Sequence, residues 1–489
     1  MAKKSKKVKL DQIDTTLDKF SLEHYSIYGK SVLEDRAIPD FRDGMSPINR
    51  RLLYSAFDLG IRSTSKYVKS ARIVGDVLGR FHPHSDSSCY GAMVKMTNVG
   101  QTINNSCYGL FEGEGNWGNL SNTAAAAMRY TEARLSKFSD EVLFNKFYVP
   151  AIKYVPNFDS STVEPLILPA LLPIAFLNGR FGIAPGATCN IPAFSGESIY
   201  KVLKAAYSGK ALTSKFLSRN LQCVTTFGGL EETTKDEGRT NLFKKTRGSA
   251  VLKSSGDYNA KTRTLTFTRF AVEKMQSVLE KLSVIDGIQS VRDMSNTKDR
   301  FGRLEVQIKK LDDTKLSKVK EKIDSVLSTK ENYVLNFTER YINELGRDAA
   351  NMSARTLPQV FTSWVEWRIQ LERDACLYWI AEDDKEIHRL GLLIQAVSLI
   401  DFIVKLLKDR KLKNNNEVFS AYAKKAKVSV DDAKYVLGRP IISLRNMERI
   451  ELEAKLKEVK KHRAQLKKRH DTPLEFMLKQ LKSLKSVLM

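Results

Sequence analysis

The chain has 489 residues, of which 42% are hydrophobic and 28% are charged. This composition excludes a wholly disordered protein, and the length predicts two to four domains with buried cores. The formal net charge is +24 and the pI is about 9.6. Such an excess favours a polyanionic partner, nucleic acid first and an anionic membrane second. A basic soluble protein without such a partner is the alternative.

The sequence shows no apolar run long enough to span a bilayer and no secretory signal at its start. Residues 1–20 open with MAKKSKKVKL and predict a basic disordered arm, which either lies along phosphates or is a solvated tail. Five cysteines, at positions 89, 107, 189, 223 and 376, form no CxxC pair. They indicate neither a zinc site nor a disulfide framework. We therefore expect a cytoplasmic protein.

Residues 21–150 are predicted to form mainly short helices. In SPINRRLLYSAFDLG, residues 46–60, apolar side chains recur at helical spacing and Gly60 ends the helix. A second helix is predicted over 65–81. Its outer face carries Lys66, Lys69, Arg72 and Arg80. Two helices joined by a short turn, the second of them basic on its outer face, are typical of a helix-turn-helix DNA reader.

The rest of the chain divides into an α/β region and a long helical region. Over 151–345, alternating runs such as AKTRTLTFTRF lie between helical stretches, without an obvious catalytic cluster. The helical signal then predicts an outgoing coiled-coil helix over 346–390, a helical cap over 391–445, and a returning helix with a C-terminal tail over 446–489. The apolar stretch GLLIQAVSLIDFIVKLL, residues 391–407, predicts either dimerisation through the cap or burial against its own chain.

The familiar catalytic motifs are absent from the sequence: there is no Walker loop, HExxH, GxSxG or D-x-D cluster. What stands out before residue 135 is a concentration of basic and histidine side chains close to one tyrosine. Its members are Arg36, Arg50, Arg51, His82, His84, Arg129 and Tyr130. Four alanines, residues 124–127, precede this tyrosine and would leave its approach open to a bulky polymer.

Such a group of residues could carry out phosphodiester chemistry. A phenol, with an ordinary pKa near 10, is a weak nucleophile at neutral pH unless cations or a base activate it. Arginines would neutralise the phosphodiester as charge builds, and a histidine would orient a water or relay a proton. The product would be a phosphotyrosyl ester with nearly the bond energy of the diester that it replaced. Resealing would therefore need no nucleotide.

Five segments then occur in order: EDRAIPDFRDGMSPINRRLLY, KSARIVGDVLGRFHPHSDS, EGEGNWGN, NTAAAAMRYTEARL and NGRFGIAPGATCNIP. They closely resemble the DNA breakage-reunion subunit of type IIA topoisomerases, the A subunit of gyrase and its topoisomerase IV counterpart. The resemblance implies an α+β multidomain fold with a winged-helix DNA gate, an α/β tower, and a long antiparallel coiled coil bearing a dimerisation cap. No segment resembles a β-pinwheel, an ATPase or a Toprim domain. A chain with the breakage-reunion segments but without these three domains is most similar to the medium subunit of the topoisomerases of T-even-like bacteriophages.

The same resemblance implies roles for individual residues. Tyr130 would link to the 5′ end of the cut strand, with Arg129, Arg36 and His82 at the scissile phosphate. Ile191 would wedge between base pairs and bend the DNA. The DNA-binding surface would include Arg50, Arg51, Lys66, Lys69, Arg72 and His84. Two chains would form the gate of an ATP-dependent type II topoisomerase, with Mg²⁺ held by a partner Toprim subunit, ATP held by a partner ATPase subunit, and no metal ligand in this chain.

Some positions depart from the family pattern. Ser46 and Asn49 stand where bacterial relatives carry the lysine and histidine of K-P-V-H-R-R, which removes two expected phosphate contacts. Ser85 replaces the usual glycine after HPH. Ser87 matches the serine tied to quinolone sensitivity, whereas Gly91 stands where an acidic residue is common. We therefore expect weaker bridging to quinolones.

Two other functions are weighed against this one. A non-catalytic architectural protein would bind DNA through the same winged helix and basic arm. A tyrosine recombinase would need a different Arg/His/Arg spacing and a 3′ linkage. Two observations distinguish these three functions: whether the protein becomes covalently attached to DNA, and whether it is attached to the 5′ or the 3′ end of the strand.

Overall fold

The computed structural model describes residues 16–32, 36–97, 108–118, 124–232, 237–272, 275–295, 302–409, 412, 414–440 and 449–488. They fall into two compact units. The first comprises the described parts of Met1–Asn145, Ile152–Trp367 and Ser483–Met489, and the second those of Lys146–Ala151 and Arg368–Lys482. Residues 1–15 of the predicted basic arm lie outside the described residues, and the chain is already helical from Leu17.

Four helices and a small sheet form the N-terminal part of the first unit. The helices are α1 (Leu17–Val32), α2 (Pro47–Asp58), α3 (Ser70–Arg80) and α4 (Asp86–Thr97). The strands are β1 (Val68–Lys69), β2 (Phe111–Glu114) and β3 (Glu132–Leu135), in the order β1-β3-β2 with antiparallel pairing. The short helix α5 (Lys137–Val142) follows, capped by the Ser136 side chain.

The local sequence explains where α2 and α3 begin and end. Pro47 occupies the first turn of α2, where a missing N–H costs nothing, and the chain leaves the helix at Gly60 with a φ of 73°. In α3, Ile73, Val74 and Val77 are fully buried. The sequence predicts this second helix from residue 65, but 68–69 pair with β3 instead, so the helix begins at Ser70.

A seven-stranded antiparallel sheet follows in the first unit. Its strands are β6 (Arg180–Ala184), β7 (Ala187–Ile191), β8 (Ala193–Phe194), β9 (Cys223–Val224), β10 (Leu230–Glu231), β11 (Arg247–Lys253) and β16 (Ser328–Val334), in the order β6-β7-β16-β11-β10-β9-β8. Before it lie the hairpin β4 (Tyr154–Pro156) and β5 (Val163–Pro165) and the helix α6 (Ile174–Asn178). Helices α7 (Gly196–Tyr207), α8 (Ser214–Asn220) and α9 (Glu237–Lys244) connect its strands.

A second antiparallel sheet has a core of its own. It contains β12 (Ser255–Asn259), β13 (Thr264–Arg269), β14 (Ile288–Asp293) and β15 (Leu304–Ile308), in the order β12-β13-β15-β14. Helices α10 (Met275–Ser283) and α11 (Asp313–Val326) pack their apolar faces against it. The predicted alternation of strands and helices in this region is therefore observed. The apolar residues at every second position of the strands and those on one face of each helix pack together in one core cluster.

The hairpin β17 (Asn336–Ile342) and β18 (Asp348–Ala354) comes next in the first unit, and the 42-residue helix α12 (Leu357–Ser398) follows it. The backbone of Thr338 exchanges hydrogen bonds with Pro39 and Phe41. The Asp40 carboxylate accepts from the Arg42 side chain and from the Arg340 backbone N–H at 2.7 Å. The segment that follows Arg36 is thus fixed by a strand some 300 residues away in sequence.

The second unit contains most of α12 and the helices α13 (Ile400–Lys408), α14 (Asn415–Ala426), α15 (Val430–Leu437), α16 (Arg449–Asp471) and α17 (Pro473–Ser483). The last helix, α18 (Lys485–Leu488), belongs to the first unit. Ion pairs join α12 to α16, and their members are Glu386–Lys455, Asp383–His462, Asp384–Arg463 and Glu372–Arg469. Along these pairs the residue numbers decrease in α12 as they increase in α16, so the two helices run antiparallel.

A buried polar network lies in the second unit near the start of this helix pair. Glu372 and Tyr148 are fully buried, and the Tyr148 hydroxyl lies 2.7 Å from Glu372 Oε2. Arg368 and Arg469 both donate to the same carboxylate, and Arg368 also donates to Gln480 at 2.7 Å. Each buried charge therefore has hydrogen-bonding partners, which reduces the cost of its burial.

The apolar stretch 391–407 packs largely against its own unit. Leu392, Leu393, Ala396 and Ile403 join one core cluster with Tyr422. Among the described residues no single helix meets the requirements of a membrane span. Leu357–Ser398 and Ile400–Lys408 meet them only as a pair bent by 73°. Leu407, by contrast, leaves 46% of its surface exposed.

Candidate active site

Tyr130 stands on an exposed turn. It retains 63% of its accessible surface, which is unusual for a large aromatic residue. The alanine segment before it runs without regular structure, and the Tyr130 N–H donates to the Ala127 carbonyl at 2.9 Å. Small side chains on this approach leave the phenol open to solvent. The arrangement allows a large substrate to reach the hydroxyl.

The turn is exposed but firmly anchored. Its next residue, Thr131, is fully buried, and its hydroxyl lies 2.8 Å from both the Ser70 hydroxyl and the Tyr90 hydroxyl. The Ser70 N–H donates to the Thr131 carbonyl, and the Tyr90 hydroxyl donates to the Ala126 carbonyl at 2.6 Å. Helices α3 and α4 and strand β3 thus hold the backbone on both sides of the tyrosine, which preorganises the phenol.

Arg129 supplies a cation at the same turn. Its guanidinium carbon lies 4.9 Å from the centroid of the Tyr130 ring, a cation–π distance. Arg129 is also exposed. A positive charge therefore accompanies the phenol at the surface, where an anionic substrate would meet both groups.

His82 lies at the end of a chain of side-chain contacts. It is 8% exposed, and its Nδ1 lies 2.9 Å from Arg51 Nη1. Arg51 in turn donates two hydrogen bonds to Glu164, from Nε at 2.5 Å and from Nη2 at 2.8 Å. A forked arginine–carboxylate pair of this kind holds a guanidinium in one orientation. Glu164 thereby orients Arg51, and Arg51 orients the imidazole.

The same contacts determine the protonation state of His82. Burial, followed by the positive charges of Arg51, His84 and Arg36, lowers its pKa to about 4. An arginine can only donate, so Nδ1 must accept and the proton of the neutral ring lies on Nε2. The free side of His82 is therefore a neutral hydrogen-bond donor at pH 7. The sequence leaves open whether a histidine orients or relays protons, and this geometry favours orientation.

Arg36 is exposed, and its charge lies close enough to His82 to lower the pKa of that residue. Gly182 in β6 controls the position of its neighbour Ala37. A Cβ built on Gly182 would lie 2.1 Å from the Ala37 carbonyl oxygen. Only glycine permits this close approach of strand β6 to the segment that carries Arg36.

The two adjacent arginines predicted to bind DNA are both engaged within the chain. Arg50 is 3% exposed, and its Nε and Nη2 donate to Asp43 at 2.7 and 3.1 Å. Arg51 is held by Glu164 as described above. Neither guanidinium lies free at the surface. A DNA contact by Arg50 would require a buried ion pair to open, so its place in the structure is that of a core residue.

The remaining predicted DNA contacts lie at the surface. Lys66, Arg72 and His84 are exposed, and Lys69 is exposed and paired with Glu132 at 2.7 Å. The His84 ring packs edge-on to His82, with ring centroids 4.4 Å apart. These side chains are available to a polyanion, and surface ion pairs such as that of Lys69 exchange partners at little cost.

The predicted site residues form two groups. Tyr130 and Arg129 share one turn, whereas His82, His84 and Arg51 cluster at the end of α3, with Arg36 nearby. Within the described part of one chain, no hydrogen bond or ring contact joins these two groups. In that same part, no three His, Cys, Asp or Glu side chains come together in a manner that could hold a metal ion.

Comparison with known proteins places the sequence in a family. The family of the A subunits of DNA gyrase and topoisomerase IV matches residues 36–482. The chain belongs to this family. It is 28% identical over 447 residues to the A subunit of DNA gyrase from Brachyspira hyodysenteriae, covering 90% of this chain and 52% of that protein. It is 29% identical over 491 residues to the A subunit of DNA topoisomerase 4 from Staphylococcus aureus, covering 96% and 58%. The chain thus spans about half the length of these curated relatives.

One residue that the family resemblance singled out is corrected by the structure. Ile191, the predicted DNA wedge, is 2% exposed, because it ends strand β7 inside the seven-stranded sheet. A side chain buried there cannot enter a base stack. The exposed apolar residues of the same hairpin are Phe181 at 60% and Ile183 at 65%. Phe181 and Ile183 are two positions apart in β6 and therefore lie on the same face of the strand. This alternation in the sequence Arg-Phe-Gly-Ile is the signal that could have identified Ile183.

Of the positions where this gyrase/topoisomerase IV family member departs from the expected pattern, Ser46 and Asn49 are buried, Ser85 is exposed and Gly91 is half-buried. Ser87 is exposed in the first turn of α4, and its hydroxyl lies 2.6 Å from the Ser85 hydroxyl. Gly91 lies one helical turn later on the same face of α4. A bound drug that needs an acidic side chain at this second position would find none.

Sequence reasoning also missed the carboxylates that organise the site. Asp43 and Glu164 decide which arginines are free, yet Glu164 lies 113 residues from Arg51 in sequence. No local motif marks Glu164, which sits in the short strand β5.

Proposed function

We propose that the chain is the DNA breakage-reunion subunit of an ATP-dependent type II topoisomerase. The observation that carries this proposal is an exposed Tyr130 on an anchored turn, beside the Arg129 guanidinium, in a member of the gyrase/topoisomerase IV A-subunit family. A second duplex would pass through the resulting double-strand break before religation. The substrate is double-stranded DNA.

The reaction is a transesterification. Tyr130 Oη forms a bond to phosphorus, the bond from phosphorus to the 3′ oxygen breaks, and the phenolic proton passes to water while the 3′ oxygen takes one up. The protein remains on the 5′ end. Arg129 neutralises charge at the phosphate, and Arg36 is assigned to the same phosphate. His82 donates from Nε2 to a phosphate oxygen, because Arg51 occupies its Nδ1. Religation reverses these steps without a nucleotide.

DNA would lie on a winged-helix surface. Helices α2, α3 and α4 with the sheet β1-β3-β2 have the composition of such a module. Lys66, Lys69 and Arg72 present positive charge from it. We assign the wedge that bends the DNA to Ile183 on the exposed face of β6.

The partners are part of the proposal. Two copies of the chain would form the DNA gate and meet again at the cap of α13, α14 and α15. Mg²⁺ and ATP would be bound by partner Toprim and ATPase subunits. Bound Mg²⁺ would stabilise charge at the cleaved phosphate.

Covalent trapping tests the proposal. The chain is mixed with its partner subunits, duplex DNA and Mg²⁺, and the reaction is stopped with detergent. We expect protein attached to 5′ ends with the wild-type chain, and no adduct with Tyr130→Phe, which should still bind DNA. An adduct with Tyr130→Phe would refute the assignment of the nucleophile. Attachment to 3′ ends would favour a recombinase, and binding without any wild-type adduct would favour an architectural protein.

A further inference from the structure

A cavity of about 550 Å³ lies beside the segment that carries Arg36. Three cationic residues line it, Arg36, Lys95 and Arg180. None of the described residues that line it is acidic. A cavity with this charge is suited to an anion, and the residue that distinguishes it is Arg180.

The Arg180 guanidinium has neutral partners. Its Nε donates to the Gly44 carbonyl at 3.0 Å. With the Asn49 amide oriented so that its oxygen faces the guanidinium, this oxygen accepts from Nη1 at 2.7 Å and also from Nη2. Asp43 attracts Arg180, but its carboxylate oxygens already accept from Arg50 at 2.7 and 3.1 Å. No ion pair within the described residues joins Arg180 to a carboxylate, so its hydrogen-bonding partners there are neutral.

The positive charge of Arg180 persists at neutral pH. Burial lowers the pKa of Arg180 to about 10, so the side chain stays protonated although its surroundings disfavour the charge. Helix α2 adds a partial positive charge, because Ser46 and Ile48 at its N-terminus line the same cavity. An anion entering here would relieve an unfavourable electrostatic situation.

We propose that this cavity is a phosphate subsite in which Arg180 binds one backbone phosphate of duplex DNA, flanked by Lys95 and Arg36. The inference rests on the proposed function in taking DNA as the anion. A polymer fits better than a small metabolite, because the adjoining β6 residues Phe181 and Ile183 are exposed and offer an apolar surface beside the charge. Bases and sugars next to the bound phosphate would pack there.

The salt dependence of DNA binding tests the inference. Fluorescence anisotropy of a labelled duplex is measured across a potassium chloride series for the full chain. For Arg180→Gln we expect the log–log slope to flatten by about 0.9, the loss of one phosphate contact. Affinity at low salt should fall about tenfold. Arg180→Lys retains the charge and should restore most of the slope.

Arg219→Gln is the matched control. Arg219 is an exposed residue at the end of α8 that does not line the cavity, and its removal changes the net charge equally. The control should keep the wild-type slope. An Arg180→Gln slope equal to that of wild type would overturn the inference. The inference would also be overturned if the salt dependence of Arg180→Lys were as flat as that of Arg180→Gln and the variant melted at a lower temperature than wild type. Arg180 would then have a structural role. Either result, with a steep wild-type slope and an intact Tyr130 adduct, leaves the proposed function standing.

Discussion

At the scale of single residues, the state of His82 illustrates how the site is built. The ring is neutral because it is buried beside Arg51, His84 and Arg36, and its tautomer follows from the donor character of Arg51. A neutral Nε2 donor can orient a phosphate oxygen but cannot take the phenolic proton. Arg51 and Glu164 position the ring, because Glu164 holds the Arg51 guanidinium that contacts Nδ1.

This state predicts a pH dependence of stability. The pKa of His82 is about 4 in the folded chain against an ordinary 6.5, so between these values the unfolded chain binds more protons. The contribution to stability is complete above pH 6.5 and is lost as the pH falls toward 4. Between pH 7.5 and 5 we expect the free energy of unfolding to fall by up to about 2 kcal/mol from this group.

Urea unfolding of the wild-type chain and of His82→Gln at pH 7.5 and 5 measures the effect. The variant should show a smaller decrease than wild type. Equal decreases in the two proteins would mean that His82 titrates normally in the folded state.

At the scale of elements, the hairpin of β6 and β7 separates two isoleucines. Ile183 lies on the exposed face of β6, whereas Ile191 is buried at the end of β7. They differ in burial although both belong to one seven-stranded sheet. Alternation of side chains across a strand therefore decides which isoleucine is exposed.

Truncating the two isoleucines should have opposite consequences. Ile191→Ala leaves a cavity in a packed core and should lower the free energy of unfolding by about 2–5 kcal/mol. Ile183→Ala should change stability by less than about 0.5 kcal/mol, as expected for an exposed site, and should reduce the bend of bound DNA. Denaturation and end-to-end energy transfer on a labelled duplex measure the two effects. A normal bend with Ile183→Ala would remove Ile183 as the wedge.

At the scale of the whole molecule, the prediction concerns association. The cap buries most of its apolar residues within its own unit, in the cluster of Leu392, Ile403 and Tyr422. On helix α13, Leu406 is 8% exposed and Leu407 46% exposed. The neighbouring leucines thus separate the interior of the cap from a surface that a second copy would cover.

We expect the wild-type chain to sediment as a dimer. Leu407→Glu should shift it toward the monomer, because a carboxylate would have to be buried at the interface, while leaving the thermal transition of the cap in place. Leu406→Glu should instead unfold the cap. Sedimentation velocity and calorimetry distinguish these results. A dimer unaffected by Leu407→Glu would place the cap contact elsewhere.

The order of the residues was enough to identify the family, the tyrosine with its arginine neighbour, and the helices whose apolar residues repeat at regular spacing. These properties are local, because a helix or a motif depends on residues within a few positions of one another. Only the folded chain reveals that Arg50 is buried on Asp43, that His82 is neutral, and that Ile183 rather than Ile191 is exposed. Burial and charge depend on partners that the fold brings from far along the chain, and neither composition nor spacing records them.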